Sequence, residues 1–441
     1  MPTKSNHIHG HNGTWQTTYR AVQRASLWLL AVASIPLGAV AGATALLATM
    51  AVTNSRTLAA VAGLMVVILL TGGLSWSAAR RLSRSLWLPG ITTGITLVLV
   101  GFLVGPVVFT PAPGYTPITP TDDTRYWDLP IGSRIAYVHT PAQGEPKPTP
   151  VILVHGGPGA PEGGLEFIAP TLAEAGFDVY YYHQVGAGLS ERLEDVSGYT
   201  VARQVADLEA IRQEIGSEQV ILVGESWGGT LIANYLAAYP DRVARAVVSS
   251  PGSIWAPGFA DTNGLTPSGR EDQNAVIADL PRFMLAHILL RTAGPQMTHA
   301  LLPDRQMDGV FQKLVGRLDL WSACPIEQHP GGKPVLDEQA GVGFWVNAMT
   351  GLDRDRVADP RPVLSKVSTP VLVLRSECDY RAWESTREYR DILPNAVMLT
   401  VEDAGHVIPM DQPELYRQAV LAFLLDKPLP QEPYNGAEAP W

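Results

Sequence analysis

The stretch VILVGESWGGTLIANYLA, Val220 to Ala237, decides how the chain is read. Val220–Val223 is a short apolar run rich in β-branched residues, the pattern of a buried strand, and Thr230–Ala238 carries a helical pattern. Between them the chain must reverse within a few residues, with Ser226 at the tip. Gly224 and Gly228 suit a turn so tight that a Cβ would meet the neighbouring strand or helix. Gly-x-Ser-x-Gly in this setting is the pattern of a nucleophile elbow, which lifts a hydroxyl above a sheet edge at a helix N-terminus. Five residues alone also fit an ordinary Gly/Ser turn, so the rest of the chain has to discriminate.

The chain has 441 residues and a net charge of −10, unevenly placed. The first 110 residues hold seven basic residues (Lys4, Arg20, Arg24, Arg56, Arg80, Arg81, Arg84) and no Asp or Glu. All 42 acidic residues follow, with the other 25 of the 32 basic ones. An acidic main part excludes nucleic acid as a partner, because a phosphate backbone needs a basic footprint. Three uncharged apolar runs precede it, each about 20 residues or more, the length that crosses a hydrocarbon core of roughly 30 Å. They predict transmembrane helices near 27–50, 57–77 and 87–109. A cleaved signal peptide is the alternative for the first run, which is too long for a signal h-region and is followed by two more. Lys4, Arg20 and Arg24 flank the first span, and Arg80, Arg81 and Arg84 lie before the third, against Arg56 alone in the loop between the first two. The positive-inside rule then puts the N-terminus in the cytoplasm and everything after the third span outside, a multi-pass cell-membrane topology. Residues 111–124, rich in Pro and Thr, read as an extended tether, and 427–441, without periodicity, as a loose end. The histidines of HIHGH (7–11) read as incidental, and Cys324 and Cys378 as free buried thiols rather than a disulfide.

Strand and helix patterns alternate from TPVILVHG onward through DVYYYH, VARQVADLEAIRQEIG, the Ser226 turn, RAVVSS, TPVLVLRS and AVMLTVE. This predicts an α/β fold with a mostly parallel sheet covered by helices, whose ligands bind beyond the carboxyl ends of the strands. At those ends stand His155-Gly-Gly-Pro-Gly159, Ser226, Asp379 and His406. Glycine-rich backbone can bring N–H groups to a substrate oxygen. Ser226, Asp379 and His406 are the expected catalytic residues: nucleophile, orienting acid and general base, in the chain order of an α/β-hydrolase. Asp403 lies too close to His406 to serve as the acid, and Glu377, within the strand end, is a weaker candidate than Asp379.

HGGPG (155–159), GESWGG (224–229), LRSECDY (374–380) and AGH (404–406) resemble the prolyl aminopeptidase (proline iminopeptidase) group of serine peptidases over roughly residues 125–425. The resemblance implies an α/β-hydrolase core at 125–251 and 367–426, a mostly helical cap at 252–366, and the backbone amides of Gly157 and Trp227 as the oxyanion hole. The group's Asp-Gln-x-Gly-x-Gly-x-Ser is replaced by His183-Gln-Val-Gly-Ala-Gly-Leu-Ser190, which bears on prolyl specificity more than on hydrolysis; His183 is read as structural rather than as a second base. Trp255, Trp321, Phe344 and Trp345 offer an apolar pocket, and Glu271, Asp272, Asp279 and Glu327 are the cap acids from which an amine-binding carboxylate would come. The expected activity is cleavage near a peptide N-terminus by acyl transfer to Ser226 and then to water, on a peptide or acyl-peptide, with no cofactor and no metal. An amidase or esterase acting on an exported acylated compound, and a catalytically silent surface receptor, are the alternatives.

Overall fold

The structure is a computed structural model that describes residues 11–53, 56–82, 87–108, 115, 117–161, 165–259, 265, 274, 277, 280–317 and 341–441. The chain divides into two compact units, Met1–Pro111 with Thr292–Leu302, and Ala112–Arg291 with Pro303–Trp441.

The first unit contains the helices α1 (His11–Thr53), α2 (Arg56–Leu82) and α3 (Trp87–Val108). Trp15–Leu46 and Thr57–Leu82 are long and apolar enough to cross a membrane, and Trp87–Gly101 is a shorter apolar stretch. Polarity in this unit runs from inside to outside. Ser34 Oγ lies 2.9 Å from Ser75 Oγ, which accepts from Thr92 Oγ1 at 2.7 Å, and all three side chains are buried. Meanwhile Leu29, Val40, Leu69 and Val98 are 66–71% exposed. Small residues let the backbones approach: a Cβ on Gly42 would come within 3.1 Å of the Gly63 carbonyl. Buried hydroxyls, small residues at the contact and apolar exteriors are the packing terms available to helices in lipid, where no hydrophobic effect drives them together.

The second unit is built on one eight-stranded sheet, ordered β1-β2-β4-β3-β5-β6-β7-β8. Its strands are β1 (Thr124–Asp128), β2 (Arg134–Thr140), β3 (Val151–Val154), β4 (Val179–Tyr182), β5 (Val220–Glu225), β6 (Val243–Ser249), β7 (Val371–Ser376) and β8 (Ala396–Val401). β1 pairs with β2, and β2 with β4, antiparallel, while the other five pairings are parallel. β3, β5 and β7 are buried along their whole length, which explains their near-continuous apolar sequences: both faces are covered. One cover packs Leu165, Ile168 and Leu172 with Tyr416, Val420 and Leu424 against Leu153, Val223 and Leu374. On this frame sit α4 (Ala169–Glu174), α5 (Val201–Ile215) and α6 (Trp227–Ala238). Thr200 caps α5 by accepting from the Arg203 N–H, and Gly216 ends it in the left-handed region at φ 77°.

Between β6 and β7 the described residues are mostly helical, including Pro281–Thr292, Asp304–Arg317 and Phe344–Arg354. Asp308 ties this segment down: Oδ2 accepts from Arg192 at 3.1 Å and Oδ1 from the Phe344 N–H at 2.8 Å. The C-terminal stretch 427–441 is not the loose end its sequence suggests. Tyr434 N–H donates to Met398 O, Arg390 donates to the carbonyls of Tyr434 and Gly436, and the Trp383 indole donates to Ala437 O. Side chains of a neighbouring helix bind it, and such contacts have no period to detect.

Candidate active site

Ser226 follows β5 and precedes α6 with φ 53° and ψ −116°, a conformation that costs a residue with a Cβ roughly 1–3 kcal/mol. The surroundings over-determine it. Ser226 N–H donates to Ser249 O, and its carbonyl accepts from the N–H groups of Gly229 and Gly252. A Cβ on Gly228 would lie 2.0 Å from the Val154 carbonyl oxygen, so α6 passes closer to β3 than any other residue type permits. The β-branched run breaks into glycines because the chain crosses its own neighbour there.

β3 lies beside β5, with Val154 in register with Gly224, so His155–Gly159 emerges next to Ser226. A Cβ on Gly156 would sit 3.2 Å from Ser226 Cβ. This loop is propped from below. His155 Nδ1–H donates to Gly156 O, while its Nε2 accepts from the Gln184 N–H at 2.9 Å. Burial holds the imidazole neutral, with its pKa down at about 3. Gln184 returns its side-chain amide to His155 O, and Asn347 donates to Pro158 O. Gly157 has φ 112°, open to glycine alone, and Trp227 opens α6, where helix N–H groups have no intrahelical acceptor. Trp227 is fixed through its indole, which donates to Gln204 Oε1 on α5 at 2.9 Å.

Asp379 follows β7 and His406 follows β8, and their side chains meet: Asp379 Oδ1 lies 2.7 Å from His406 Nδ1, both fully buried. Asp379 Oδ1 also accepts from the Arg381 N–H at 2.9 Å, and Oδ2 accepts from Arg375 Nη1 at 3.0 Å. Burial alone would raise the Asp379 pKa. The charges of His406 and Arg375 and the donated hydrogen bonds outweigh it and hold the carboxyl below the usual range. Tyr380 then turns back over the pair. Its ring centroid is 4.3 Å from that of His406, and its hydroxyl is 3.3 Å from His406 Nε2. Glu225, immediately before Ser226, is fully buried, and burial and then the charges of Glu166 and Asp379 push its pKa well up.

Sequence patterning finds the strand-end residues, but not Arg375 inside an apolar strand, nor His155 and Gln184 beneath the glycine loop. Tyr380 had a signal in its position next to Asp379. His183 is buried and neutral, its pKa lowered to about 4 by burial and by Arg192; Nδ1 accepts from the Leu189 N–H, so it closes the 183–190 loop. Phe344 and Trp345 are 1% exposed, packed inside rather than lining a cleft, and the Trp255 indole donates to Val357 O. Trp321, Glu271, Asp272, Asp279, Glu327 and Cys324 lie outside the described residues. The expectation of free thiols is corrected: Cys378 is disulfide-bonded. Two cysteines alone carry too little pattern to reveal that.

A family model described as the alpha/beta hydrolase fold matches residues 149–413. The chain is 26% identical over 276 residues to a proline iminopeptidase of Heyndrickxia coagulans, covering 63% of this chain and 90% of that one. It is 31% identical over 282 residues to a proline iminopeptidase of Flavobacterium johnsoniae, with 63% and 89% covered. It is also 36% identical over 304 residues to epoxide hydrolase A of Mycobacterium tuberculosis, with 64% and 92% covered.

Proposed function

The chain belongs to the α/β-hydrolase fold family, and within it we propose a membrane-anchored, outward-facing serine hydrolase that cleaves near a peptide N-terminus. One observation carries the chemistry: a hydroxyl at a strained β5–α6 elbow, on the same sheet whose β7 and β8 ends bring together a buried carboxylate–imidazole pair. In this reading Ser226 attacks the scissile carbonyl and His406 receives its proton. Asp379 keeps the Nδ1–H tautomer and stabilises the imidazolium. The amides of Gly157 and Trp227 meet the developing oxyanion, a contribution of about 3–4 kcal/mol per donor in related chemistry. The acyl-serine is then hydrolysed by water.

The relatives differ in their named reactions, and the elbow residue separates them chemically. A serine that opened an epoxide would end as an ether, which water does not cleave, whereas an acyl-serine turns over. Carbonyl substrates are therefore favoured, and the two iminopeptidase relatives support an N-terminal peptide bond.

Three observations support the placement. α1–α3 expose apolar residues and bury hydroxyls, which suits three spans in lipid. The basic residues cluster on one side of the proposed spans. The disulfide at Cys378 suits an oxidising exterior. Anchoring an active site at a bilayer favours substrates that also partition there, such as an acylated peptide.

The test is a substrate series on the full-length protein in detergent. Prolyl arylamide, other aminoacyl arylamides and N-acyl peptides of increasing chain length are compared by kcat/KM. Preference for a free N-terminal residue supports the peptidase. A rate that climbs with acyl length instead supports the deacylating amidase or esterase, and no turnover with any carbonyl substrate leaves the silent receptor.

A further inference from the structure

The unit that holds α1–α3 carries cations and no carboxylate side chain: neither residues 1–111 nor 292–302 contain an Asp or Glu. Three of its arginines nevertheless line one cleft of about 740 Å³, within the roughly 300–1,000 Å³ typical of ligand sites. Arg20 and Arg24 stand one turn apart on α1, and Arg81 comes from the last turn of α2. Like charges one turn apart on a helix repel, and no side chain of the unit can neutralise them. The cluster is balanced by an anion from outside the unit.

The surroundings say what kind of anion. Trp28 on α1, Trp76 on α2 and Trp87 on α3 are 45–63% exposed. They fall at one level, because Leu27, Ala78 and Leu88 beside them pack in a single cluster. Exposed indoles at one level on three apolar helices form an interfacial belt, the depth at which lipid headgroups lie. Arg20 and Arg24 precede Trp28, and Arg81 follows Trp76, so all three sit on the polar side of that belt. Val22 and Leu27 give the cleft an apolar wall, and Leu27 continues into the contact with Ala31 and Ala78. Arg80 is placed differently: its guanidinium lies over the Trp76 ring, 4.4 Å from the centroid.

We propose that this cleft binds the phosphate headgroup of an anionic phospholipid, a site that rests on reading α1–α3 as membrane spans. Basic pockets between transmembrane helices suit such headgroups. Each guanidinium presents paired N–H donors that match two phosphate oxygens, and the apolar wall meets the start of the acyl chains. A zwitterionic headgroup brings its own cation against the three arginines, so the cleft selects for net negative charge. A lipid held this way bridges α1 and α2 at that end of the unit.

The experiment titrates the full-length protein, delipidated in detergent, with phosphatidylglycerol or with phosphatidylcholine of the same chains, read by native mass spectrometry. Inorganic phosphate is the third arm. A basic residue near an anionic membrane surface is worth about fivefold in binding. Arg20→Gln, Arg24→Gln and Arg81→Gln combined should therefore weaken phosphatidylglycerol about 10²-fold and leave phosphatidylcholine unchanged. Arg80→Gln removes the same charge outside the cleft and should keep the wild-type preference. Equal binding of the two lipids by the wild type overturns the site, and this arm decides even if the triple variant fails to fold. A folded triple variant that keeps the preference, or an Arg80→Gln protein that loses it equally, also overturns the site. Inorganic phosphate binding as tightly as the lipid overturns the assignment to a lipid. A wild type that stays soluble without detergent refutes the spans and the lipid site together, whereas a detergent-requiring protein without lipid preference refutes the site alone.

Discussion

Replacing Arg375 by Met removes the cation that holds the Asp379 carboxylate. The pair lies 3.0 Å apart with side chains 4% and 0% exposed, and Arg375 also donates to the Arg381 carbonyl at 2.9 Å. At that separation, with an effective dielectric of about 20, the attraction is on the order of 5 kcal/mol, set against the cost of burying both charges. Breaking such a pair from one side leaves an uncompensated buried charge and costs roughly 3–5 kcal/mol. For a domain of this size each kcal/mol moves Tm by about 2–4 °C, so the variant should melt roughly 6–20 °C lower. A pH effect accompanies it. Asp379 has its pKa depressed in the folded protein, so it stabilises the fold above its unfolded value near 3.9 and loses that contribution as pH falls through the folded value. Without Arg375 the folded pKa rises, and both stability and labelling should fail at a higher pH on the acid side. Differential scanning fluorimetry and fluorophosphonate labelling from pH 4 to 8 read the two effects. A Met variant that melts within about 2 °C of wild type with an unmoved acid limb would refute the assigned role of Arg375.

Gly228→Ala puts a methyl 2.0 Å from the Val154 carbonyl, so β3 and α6 must part by about an ångström beside the His155–Gly159 loop. A displacement of that size costs about 10² in rate, and kcat/KM on the best arylamide should show it; undiminished turnover would mean the close approach does not position the loop. Glu225→Gln replaces an acid that burial keeps protonated well above its ordinary pKa. In the wild type the folded state therefore binds a proton that the unfolded chain has lost, and stability falls as pH rises from about 4 toward the folded value. The Gln variant should show a flatter Tm-against-pH slope between pH 5 and 9, and identical slopes would mean Glu225 is ionised in the fold. Protease added to intact cells or protoplasts should digest residues beyond Thr110 and spare the Arg80–Arg84 loop; the reverse pattern would invert the topology.

What the sequence reveals follows from what repeats or breaks a repeat. The parallel sheet was legible because buried strands such as Val151–Val154 are unbroken apolar runs, and the ends of β5, β7 and β8 because glycine or a charge interrupts them. The helical segment before β7 was legible in kind, through the family resemblance, but not in its attachment. The Arg192–Asp308 bond joins residues 116 positions apart, and no local pattern pairs them. Arg375 reads as an interruption in an apolar strand, although its charge is what makes a buried Asp379 tolerable. His155 reads as a loop residue beside glycines, while its work is done by two ring nitrogens whose partners are 1 and 29 residues away. Tyr380 depends on a ring orientation that only the folded turn sets.

The central claim is that Ser226 is the reacting nucleophile. It is tested most directly by labelling the full-length protein with a fluorophosphonate and locating the adduct by mass spectrometry, with Ser226→Ala in parallel. The account predicts a single adduct on the peptide carrying Ser226 and none on the variant, with turnover reduced by as much as about 10⁶ as in a comparable enzyme that lost its serine. An adduct on another residue, or equal labelling of a folded Ser226→Ala protein, would contradict it.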